Sequence, residues 1–223
     1  MSFVVGIDGP AGTGKGTITA LVSKEIGLVN IDTGATYRCV ALATIRNNIN
    51  LEERNKIIEL LDSIQIDMKN EDGVQTVFLN GEDVTKEIRS KEVTKIVSQV
   101  SSIKEVRFKM VDIQRKLAEG KDVIMEGRDI TTYVFPNADV KIYLDAAEEE
   151  RAKRRYKELQ EKNIDMSYEE VLENIRIRDK NDKEKEIGAL KIAEDATYID
   201  TTNMTIQQVK QAVIEVIKIE RGN

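Results

Sequence analysis

The sequence predicts an α/β fold in which a five-stranded parallel sheet is flanked by helices, with a small antiparallel β insert and a helical lid. Three observations predict it: short apolar runs alternate with helical patterns, several runs end in an acidic residue, and the first run leads into a glycine-rich turn. The 223 residues suit one such domain with insertions. Ligands of parallel sheets bind beyond the carboxyl ends of the strands, so we expect the site there. The predicted strands are residues 3–8, 28–32, 122–126, 140–145 and 197–200.

The glycine-rich turn is the most specific signal in the chain. It leads into a helix with Ile18, Leu21 and Val22 at helical spacing. Glycines permit positive φ angles, so successive backbone N–H groups can converge on phosphate oxygens, and the lysine adds a full positive charge. This order of strand, turn and helix is typical of P-loop NTPases and predicts binding of ATP or GTP. The residues of the turn are Gly9, Pro10, Ala11, Gly12, Thr13, Gly14, Lys15, Gly16 and Thr17.

The composition excludes several classes of protein. The formal net charge of −6 argues against a general role in coating nucleic acids, and no apolar stretch is long enough for a membrane span. The N-terminus lacks the pattern of a signal peptide. Cys39 is the only cysteine, which leaves no internal disulfide and no cysteine-rich zinc site. We therefore expect a cytoplasmic protein without nucleic-acid or membrane partners.

The absence of histidine restricts the chemistry further. It removes Ser-His-Asp, Cys-His and HExxH sites together. A reaction must then depend on arginine, lysine, aspartate, backbone amides and a metal ion. Phosphoryl transfer is of that kind, because positioning and charge neutralisation supply most of its catalysis.

An antiparallel insert interrupts the alternation of strands and helices. Strands are predicted at residues 64–68 and 74–79 with turn residues 70–73 between them, and Asn80-Gly81 predicts a further hairpin turn. The predicted domain boundaries are 1–62 and 103–223 for the core and 63–102 for the insert.

A helical lid is predicted within about residues 146–190 of the core. Arg151, Arg154 and Arg155 share one helix face. That face could be a solvated set of ion pairs, or it could close arginines over transferring phosphates. Capping boxes predict the starts of two later helices, at Ser167 with Glu170 and at Thr205 with Gln208.

Three further segments could bind the acceptor of a phosphoryl group. Asp32–Arg38 follows the second strand and opens a helix, and Glu126–Asp129 forms the loop after the third strand. Arg178, Asp182 and Lys185 share a helix face. From the residues alone, each segment also has a plainer interpretation: a helix cap, a surface turn and a ladder of surface ion pairs. An acceptor that is itself a phosphate is already an anion, so it needs no histidine to deprotonate it.

Taken together, these motifs resemble the bacterial cytidylate kinase family over nearly the whole chain. They are I-D-G-P-x-G-x-G-K-G-T at Ile7–Thr17, D-T-G-x-x-Y-R at Asp32–Arg38, S-Q-V at Ser98–Val100, E-G-R-D at Glu126–Asp129, V-F-P at Val134–Pro136 and R-D-x-x-D at Arg178–Asp182. The family carries an insert in its monophosphate-binding region, which matches the predicted hairpin. The resemblance implies transfer of the γ-phosphoryl group of ATP to CMP or dCMP with Mg²⁺. We expect a monomer.

The resemblance also implies roles for individual residues. The loop 9–17 and Arg154 would hold ATP, and Thr17 is the expected protein ligand of Mg²⁺. The implied catalytic residues are Lys15, Arg128, Arg151 and Arg155. Those around the acceptor are Thr33, Tyr37, Arg38, Arg128, Arg178, Asp182 and Lys185. The implied readers of the cytosine edge are Ser98, Arg107 and Asp129.

The chain departs from the family pattern at three positions. Lys185 stands where the family usually has arginine, Thr131 where it has glycine and Ala189 where it has proline. We expect altered acceptor affinity and retained activity. One alternative is a P-loop kinase for UMP, AMP or an alcohol. An alcohol acceptor would need a base, and Asp32 or Asp129 could serve as one. Another is a non-catalytic nucleotide-binding switch, although the chain has no NKxD-type guanine reader.

Overall fold

The computed structural model describes residues 2–71, 74–161 and 163–222. Within them, a five-stranded sheet has the order β2-β6-β1-β7-β8 and a three-stranded sheet has the order β3-β4-β5. The strands are β1 (Val4–Asp8), β2 (Val29–Asp32), β3 (Ile66–Glu71), β4 (Val74–Leu79), β5 (Glu82–Asp83), β6 (Val123–Gly127), β7 (Val140–Asp145) and β8 (Thr197–Asp200). The helices are α1 (Lys15–Ile26), α2 (Thr33–Arg46), α3 (Arg54–Leu60), α4 (Lys91–Val100), α5 (Lys104–Ala118), α6 (Glu148–Glu161), α7 (Tyr168–Glu184) and α8 (Ile206–Arg221).

The larger sheet is parallel and covered on both faces. Its central strand, β1, pairs with β6 and β7 and is buried along its whole length. One apolar cluster packs α2, α4 and α5 against the sheet, and a second packs α1 and α8 against the opposite face. The predicted fold class is confirmed, and the five predicted strands are observed within one residue of their expected bounds.

The antiparallel insert is observed, but two of the four residues predicted for its first turn belong to a strand. Asn70 and Glu71 belong to β3 and not to the turn. The other two predicted turn residues, Asp72 and Gly73, lie outside the described residues. Asn80 and Gly81 form the second turn with positive φ angles of 52° and 83°, as their sequence predicts.

Long-range contacts explain why β3 continues through Asn70. The side-chain amides of Asn70 and Gln75, which are paired across β3 and β4, both donate to the backbone oxygen of Asn30 on β2. Arg46, at the end of α2, binds Glu82 at 2.7 Å and Glu87 at 2.5 Å. The insert is therefore fastened both to the edge of the parallel sheet and to α2.

The helix termini follow the predicted capping chemistry. Asp32 caps α2 by accepting from the backbone N–H of Ala35 at 3.2 Å. Both predicted capping boxes are observed, Ser167 with Glu170 at the start of α7 and Thr205 with Gln208 at the start of α8. Helices α6 and α7 pack on each other through a small apolar cluster of their own. Among the helices of the described residues, none combines the length and apolar composition of a membrane span.

Candidate active site

The phosphate-binding loop joins β1 to α1 and wraps around the side chain of Lys15. Gly14 forms the N-cap of α1 with a φ of 85°, a left-handed conformation that glycine adopts without strain. The ammonium of Lys15 donates to the backbone oxygens of Gly9 (2.8 Å) and Pro10 (2.7 Å) and to Oγ1 of Thr13 (3.1 Å). Burial and the nearby Arg128 guanidinium hold the pKa of Lys15 well below its usual value. The loop thus holds a buried cation that an incoming phosphate would stabilise.

Asp8, the last residue of β1, ties this loop to the π-helical turn Ile130–Val134 that follows β6. Its buried carboxylate accepts from the backbone N–H groups of Ile130 and Thr131, both at 2.8 Å, and from Oγ1 of Thr131 at 2.7 Å. Burial raises the pKa of Asp8, and these donors offset part of the rise because they favour the ionised form. Thr131, a departure from the family pattern, therefore supplies two of the three donors, and its hydroxyl is one that a glycine would lack.

Glu126, near the end of β6, faces the phosphate-binding loop beside Gly16. A Cβ atom on Gly16 would lie 2.7 Å from Oε1 of Glu126, so a side chain there would displace the carboxyl group. Burial raises the pKa of Glu126 to about 7, and the charge of Asp32 adds to the rise. The hydroxyl of Thr33 donates to the backbone oxygen of Glu126 at 2.6 Å. That bond fixes the start of α2 against β6, which keeps the Asp32 carboxylate close enough for its charge to act on Glu126.

Asp182 on α7 joins two of the predicted acceptor residues. Nε of Arg128 donates to its Oδ2 at 2.7 Å, and Nζ of Lys185 donates to its Oδ1 at 2.9 Å. Burial alone would raise the pKa of Asp182, but the two cations hold it well below its usual value. The structure thus brings these three predicted residues into one charged cluster.

Arg107 and Asp129 form a buried ion pair in which Nη2 of Arg107 donates to Oδ2 of Asp129. Burial raises the pKa of Asp129 to about 6, against the opposing effect of the Arg107 charge. The Arg107 guanidinium lies over the ring of Tyr37, with 5.5 Å from Cζ to the ring centroid. Tyr37 therefore packs against the predicted base-reading pair. Ser98, the third residue predicted to read the base, is half-buried on α4.

Arg151 connects α6 and α7 to the phosphate-binding loop. Its Nη1 donates to the backbone oxygen of Ala11 at 3.0 Å and to Oδ2 of Asp179 at 2.5 Å. The other oxygen of Asp179 accepts from the backbone N–H of Ala11 at 3.2 Å. Because Arg151 is buried, this part of the helix face is not a solvated set of ion pairs.

The other two arginines of that face take different positions. Arg154 donates to the backbone oxygen of Thr201, just beyond β8, at 2.6 Å. Arg155 pairs with Glu158 at 2.7 Å on its own helix. Arg154 thus reaches the residue that follows the edge strand β8.

Several guanidinium groups approach one another near the strand ends. Burial lowers the pKa of Arg178 to about 10, and the charges of Arg128, Arg38 and Arg155 contribute to the fall. Burial also lowers the pKa of Arg38, to which Arg89 contributes. Arg89, from the insert, pairs with Asp32 at 3.0 Å. Cations gathered this closely repel one another, which favours the binding of an anion between them.

Sequence reasoning assigned no role to four residues that the structure places in this site. Asp8 and Glu126 could have been found, because acidic residues at the ends of parallel strands face the ligand edge. Asp179 follows Arg178 directly within the R-D-x-x-D motif. Arg89 reaches the site only because the insert folds onto α2, and no local pattern indicates that.

The fold and the site define a P-loop kinase, with a phosphate-binding loop, converging arginines and a helical pair docked on the loop. The sequence model of the cytidylate kinase family matches residues 5–219. Cytidylate kinase from Caldicellulosiruptor bescii is 51% identical over 95% of this chain and 93% of the relative, and the one from Bacillus subtilis is 44% identical over 96% of each. Cytidylate kinase from Lactobacillus johnsonii is 45% identical over 98% of this chain and 95% of the relative. The chain belongs to the cytidylate kinase family, and the predicted resemblance is confirmed.

One solved structure supports the fold alone. It is an uncharacterised protein from Eubacterium ventriosum, which matches with a TM-score of 0.51 over 97% of this chain and 99% of that chain. The two sequences are only 11% identical, so the match carries no information about substrates.

Proposed function

We propose that this chain transfers the γ-phosphoryl group of ATP to CMP and dCMP, giving CDP or dCDP and ADP. One observation carries the proposal beyond family membership. The phosphate-binding loop, the Arg128–Asp182–Lys185 cluster and the Arg107–Asp129 pair lie along the same edge of the sheet. Donor, acceptor phosphate and acceptor base each have a complementary group there.

The donor phosphates are held by the backbone N–H groups of the loop 9–17 and by Lys15. An incoming phosphate would replace the three neutral oxygens that now accept from the Lys15 ammonium. The exchange is favourable because the buried ammonium gains an opposite charge. Arg154, which reaches beyond β8, is assigned to ATP as well.

The acceptor phosphate lies among the guanidinium groups of Arg38, Arg128 and Arg178, with Arg155 and Arg151 supplied by the lid. One of its oxygens forms a bond to the γ-phosphorus while the bond to the β–γ bridging oxygen breaks, and ADP leaves with that electron pair. The acceptor oxygen is already an anion, so no side chain has to remove a proton. The converging arginines lower the barrier by neutralising charge on the transferring group.

The acceptor base is assigned to Ser98, Arg107 and Asp129. A carboxylate paired with a guanidinium offers an acceptor for the amino group of cytosine and donors for its carbonyl oxygen. Uracil presents an oxygen where cytosine has the amino group, so it would leave buried polar groups unpaired. Tyr37 packs against the Arg107 guanidinium and is assigned to positioning it. Thr33, bonded to the backbone oxygen of Glu126, and Asp182, bonded to Arg128, are assigned to the acceptor site beside the base.

The donor groups near the loop fit Mg²⁺. Glu126 and Asp32 supply carboxylate oxygens, and Thr17 is exposed on the first turn of α1. The charge of Asp32 raises the pKa of Glu126, and a divalent cation between the two carboxylates would offset that repulsion. In the parts of the chain that the structure describes, no three acidic or cysteine side chains form a cage, so phosphates and water would hold much of the ion. When bound, Mg²⁺ supplies further neutralisation of phosphate charge.

We also assign residues 63–102 to an insert that binds the acceptor. A lid lies within about residues 146–190 in this proposal. The assigned residues of both substrates belong to one chain, so we infer that the monomer is active. We place the enzyme in the cytoplasm, where it would meet ATP and CMP. Light scattering during size-exclusion chromatography tests the oligomeric state.

A panel of acceptors tests the proposed function. ADP production is measured with Mg·ATP and CMP, dCMP, UMP, AMP or GMP. We expect fast turnover with the two cytidine nucleotides only. Turnover with another monophosphate would keep the reaction type but overturn the assignment of the base-reading residues. Binding of ATP without turnover of any acceptor would favour a nucleotide-binding switch.

A further inference from the structure

The segment between α7 and β8 is held close to the acceptor cluster at both ends. At one end, Nζ of Lys185 donates to Oδ1 of Asp182 at 2.9 Å. At the other, the backbone N–H of Leu190 donates to the backbone oxygen of Asp182 at 2.8 Å, and the Leu190 side chain is buried. Residues 186–189, here called the strap, are thereby held across the space beside Asp182.

The strap lies directly on the Arg107–Asp129 pair at Gly188. A Cβ atom on Gly188 would lie 1.9 Å from Nη2 of Arg107 and 2.1 Å from Oδ2 of Asp129. Gly188 also has a φ of +63°, which other residues rarely adopt. Only glycine allows the backbone to approach the pair so closely.

The strap leaves little of the pair exposed. Arg107 is 3% exposed and Asp129 is 5% exposed. Within the described residues, Nε of Arg107 is buried and has no hydrogen-bond partner. An unpaired donor of a buried cation is costly, and a polar ligand would satisfy it. A cavity of about 270 Å³ lined by Arg107, Glu186 and Ile187 gives the strap room to move.

We propose that the strap covers the acceptor-base site in the ligand-free protein and lifts when the base enters. Gly188 sets the acceptor affinity, because it determines how closely the strap lies on the pair. This inference rests on the proposed function, in which Arg107 and Asp129 read cytosine. The apparent affinity for CMP is then the intrinsic affinity multiplied by the fraction of molecules in which the strap is open.

The test compares Gly188→Ala with Gly120→Ala by calorimetric titration with CMP and with ATP. Gly120 also has a left-handed φ, of +69°, but a Cβ atom there would meet nothing within 4 Å. We expect Gly188→Ala to bind CMP about 3- to 10-fold more tightly because its strap is held open. Its ATP affinity and both affinities of Gly120→Ala should stay unchanged. Unchanged or weaker CMP binding by Gly188→Ala would overturn the proposal.

A second measurement does not depend on the folding of that variant. Ala189→Cys places a thiol on the strap of an otherwise normal chain, whose own Cys39 is buried. We expect CMP, but not ATP, to speed its reaction with a maleimide. A rate that CMP leaves unchanged or slows would refute the lifting of the strap.

Turnover of CMP by the wild-type protein is measured alongside. Absence of CMP turnover would overturn the proposed function and, with it, the proposal that the strap covers the base site. Normal turnover combined with a negative result for both variants would overturn the strap alone.

Discussion

Lys15 illustrates how a single buried side chain can be held ready for an anion. Its three acceptors are uncharged oxygens, so the ammonium has lost water without gaining an opposite charge. We expect Lys15→Met to lower the rate of phosphoryl transfer by about 10²- to 10³-fold, the loss typical of removing one preorganised donor. ADP production measures the loss, and circular dichroism checks the fold. Lys24→Met, at an exposed position on the same helix, is the control. Substantial turnover by Lys15→Met would contradict its assigned role.

Thr131 makes a testable contribution to stability through Asp8. Thr131→Val keeps the shape of the side chain but removes the hydroxyl that donates to the buried carboxylate. Hydrogen bonds to charged groups contribute about 1.5–3 kcal/mol, so the free energy of unfolding should fall by about that amount. Urea denaturation measures it. Thr132→Val is the matched control, since the Thr132 hydroxyl has no hydrogen bond to any described residue. Equal stabilities of the two variants would show that the Asp8 contact is not stabilising.

Glu126 should give the stability of the ligand-free protein a pH dependence of known sign. Its pKa is raised from 4.5 to about 7 in the folded protein, so the folded state retains a proton that the unfolded chain releases. That contribution to stability is complete below about pH 4.5 and is lost as the pH rises through 7. Glu126→Gln carries no such charge. Its stability relative to wild type should therefore increase between pH 5 and pH 8, as measured by urea denaturation at several pH values.

Parallel stability curves for Glu126→Gln and wild type would contradict the raised pKa. Thermal unfolding with Mg·ATP adds a second readout. If Glu126 helps to hold Mg²⁺, the ligand should stabilise wild type more than the glutamine variant at pH 8.

At the scale of elements, the sequence predicted what local patterns determine. The apolar runs gave the five strands of the parallel sheet, and the spacing of Ser167 with Glu170 gave the start of α7. The turn after β3 was placed too early, because Asn70 stays in its strand by bonding to Asn30, 40 residues away. Arg89 and Asp179 were missed for the same reason, since their partners lie 57 and 168 residues away in the chain. Long-range pairing leaves no local pattern to detect.

The Arg151–Asp179 pair should couple α6 and α7 to the binding of ATP. Asp179→Asn retains an acceptor for the Ala11 N–H but leaves a buried guanidinium without its counter-charge. Removing one partner of a buried ion pair costs about 3–5 kcal/mol, and the amide should reduce that cost. We expect a clear loss of stability and a raised KM for ATP with little change in KM for CMP. Urea denaturation and steady-state kinetics measure these effects.

Arg176→Ala is the control for this pair. It removes an ion pair with Glu148 between the same two helices, but one that is exposed to solvent. Exposed pairs contribute about 0–1 kcal/mol, so this variant should stay near wild type in both measurements. If the two variants had the same stability and the same KM for ATP, the docking of α7 on the loop would not affect ATP binding.

At the scale of the whole molecule, the charge distribution matters more than the net charge. The chain carries a formal net charge of −6, yet its fold collects Lys15 and several arginines at one edge of the parallel sheet. Composition gives the net charge but cannot predict this clustering of cations. The clustered side chains come from the loop after β1, from α2, α6 and α7, and from the segment after β6. Their mutual repulsion opposes folding when no anion is bound.

A polyanion without a base should therefore stabilise the fold. Inorganic tripolyphosphate at about 100 times its Kd adds about 2.7 kcal/mol if it binds only the folded state. For a chain of this size we expect the Tm to rise by about 5 °C or more. Sodium chloride at the same ionic strength should give a much smaller rise, since it screens the cations without bridging them. Lys15→Met should reduce the effect of tripolyphosphate. Equal shifts with both salts would mean that the cations act only through general screening, and the fold would then hold no preformed site for phosphates.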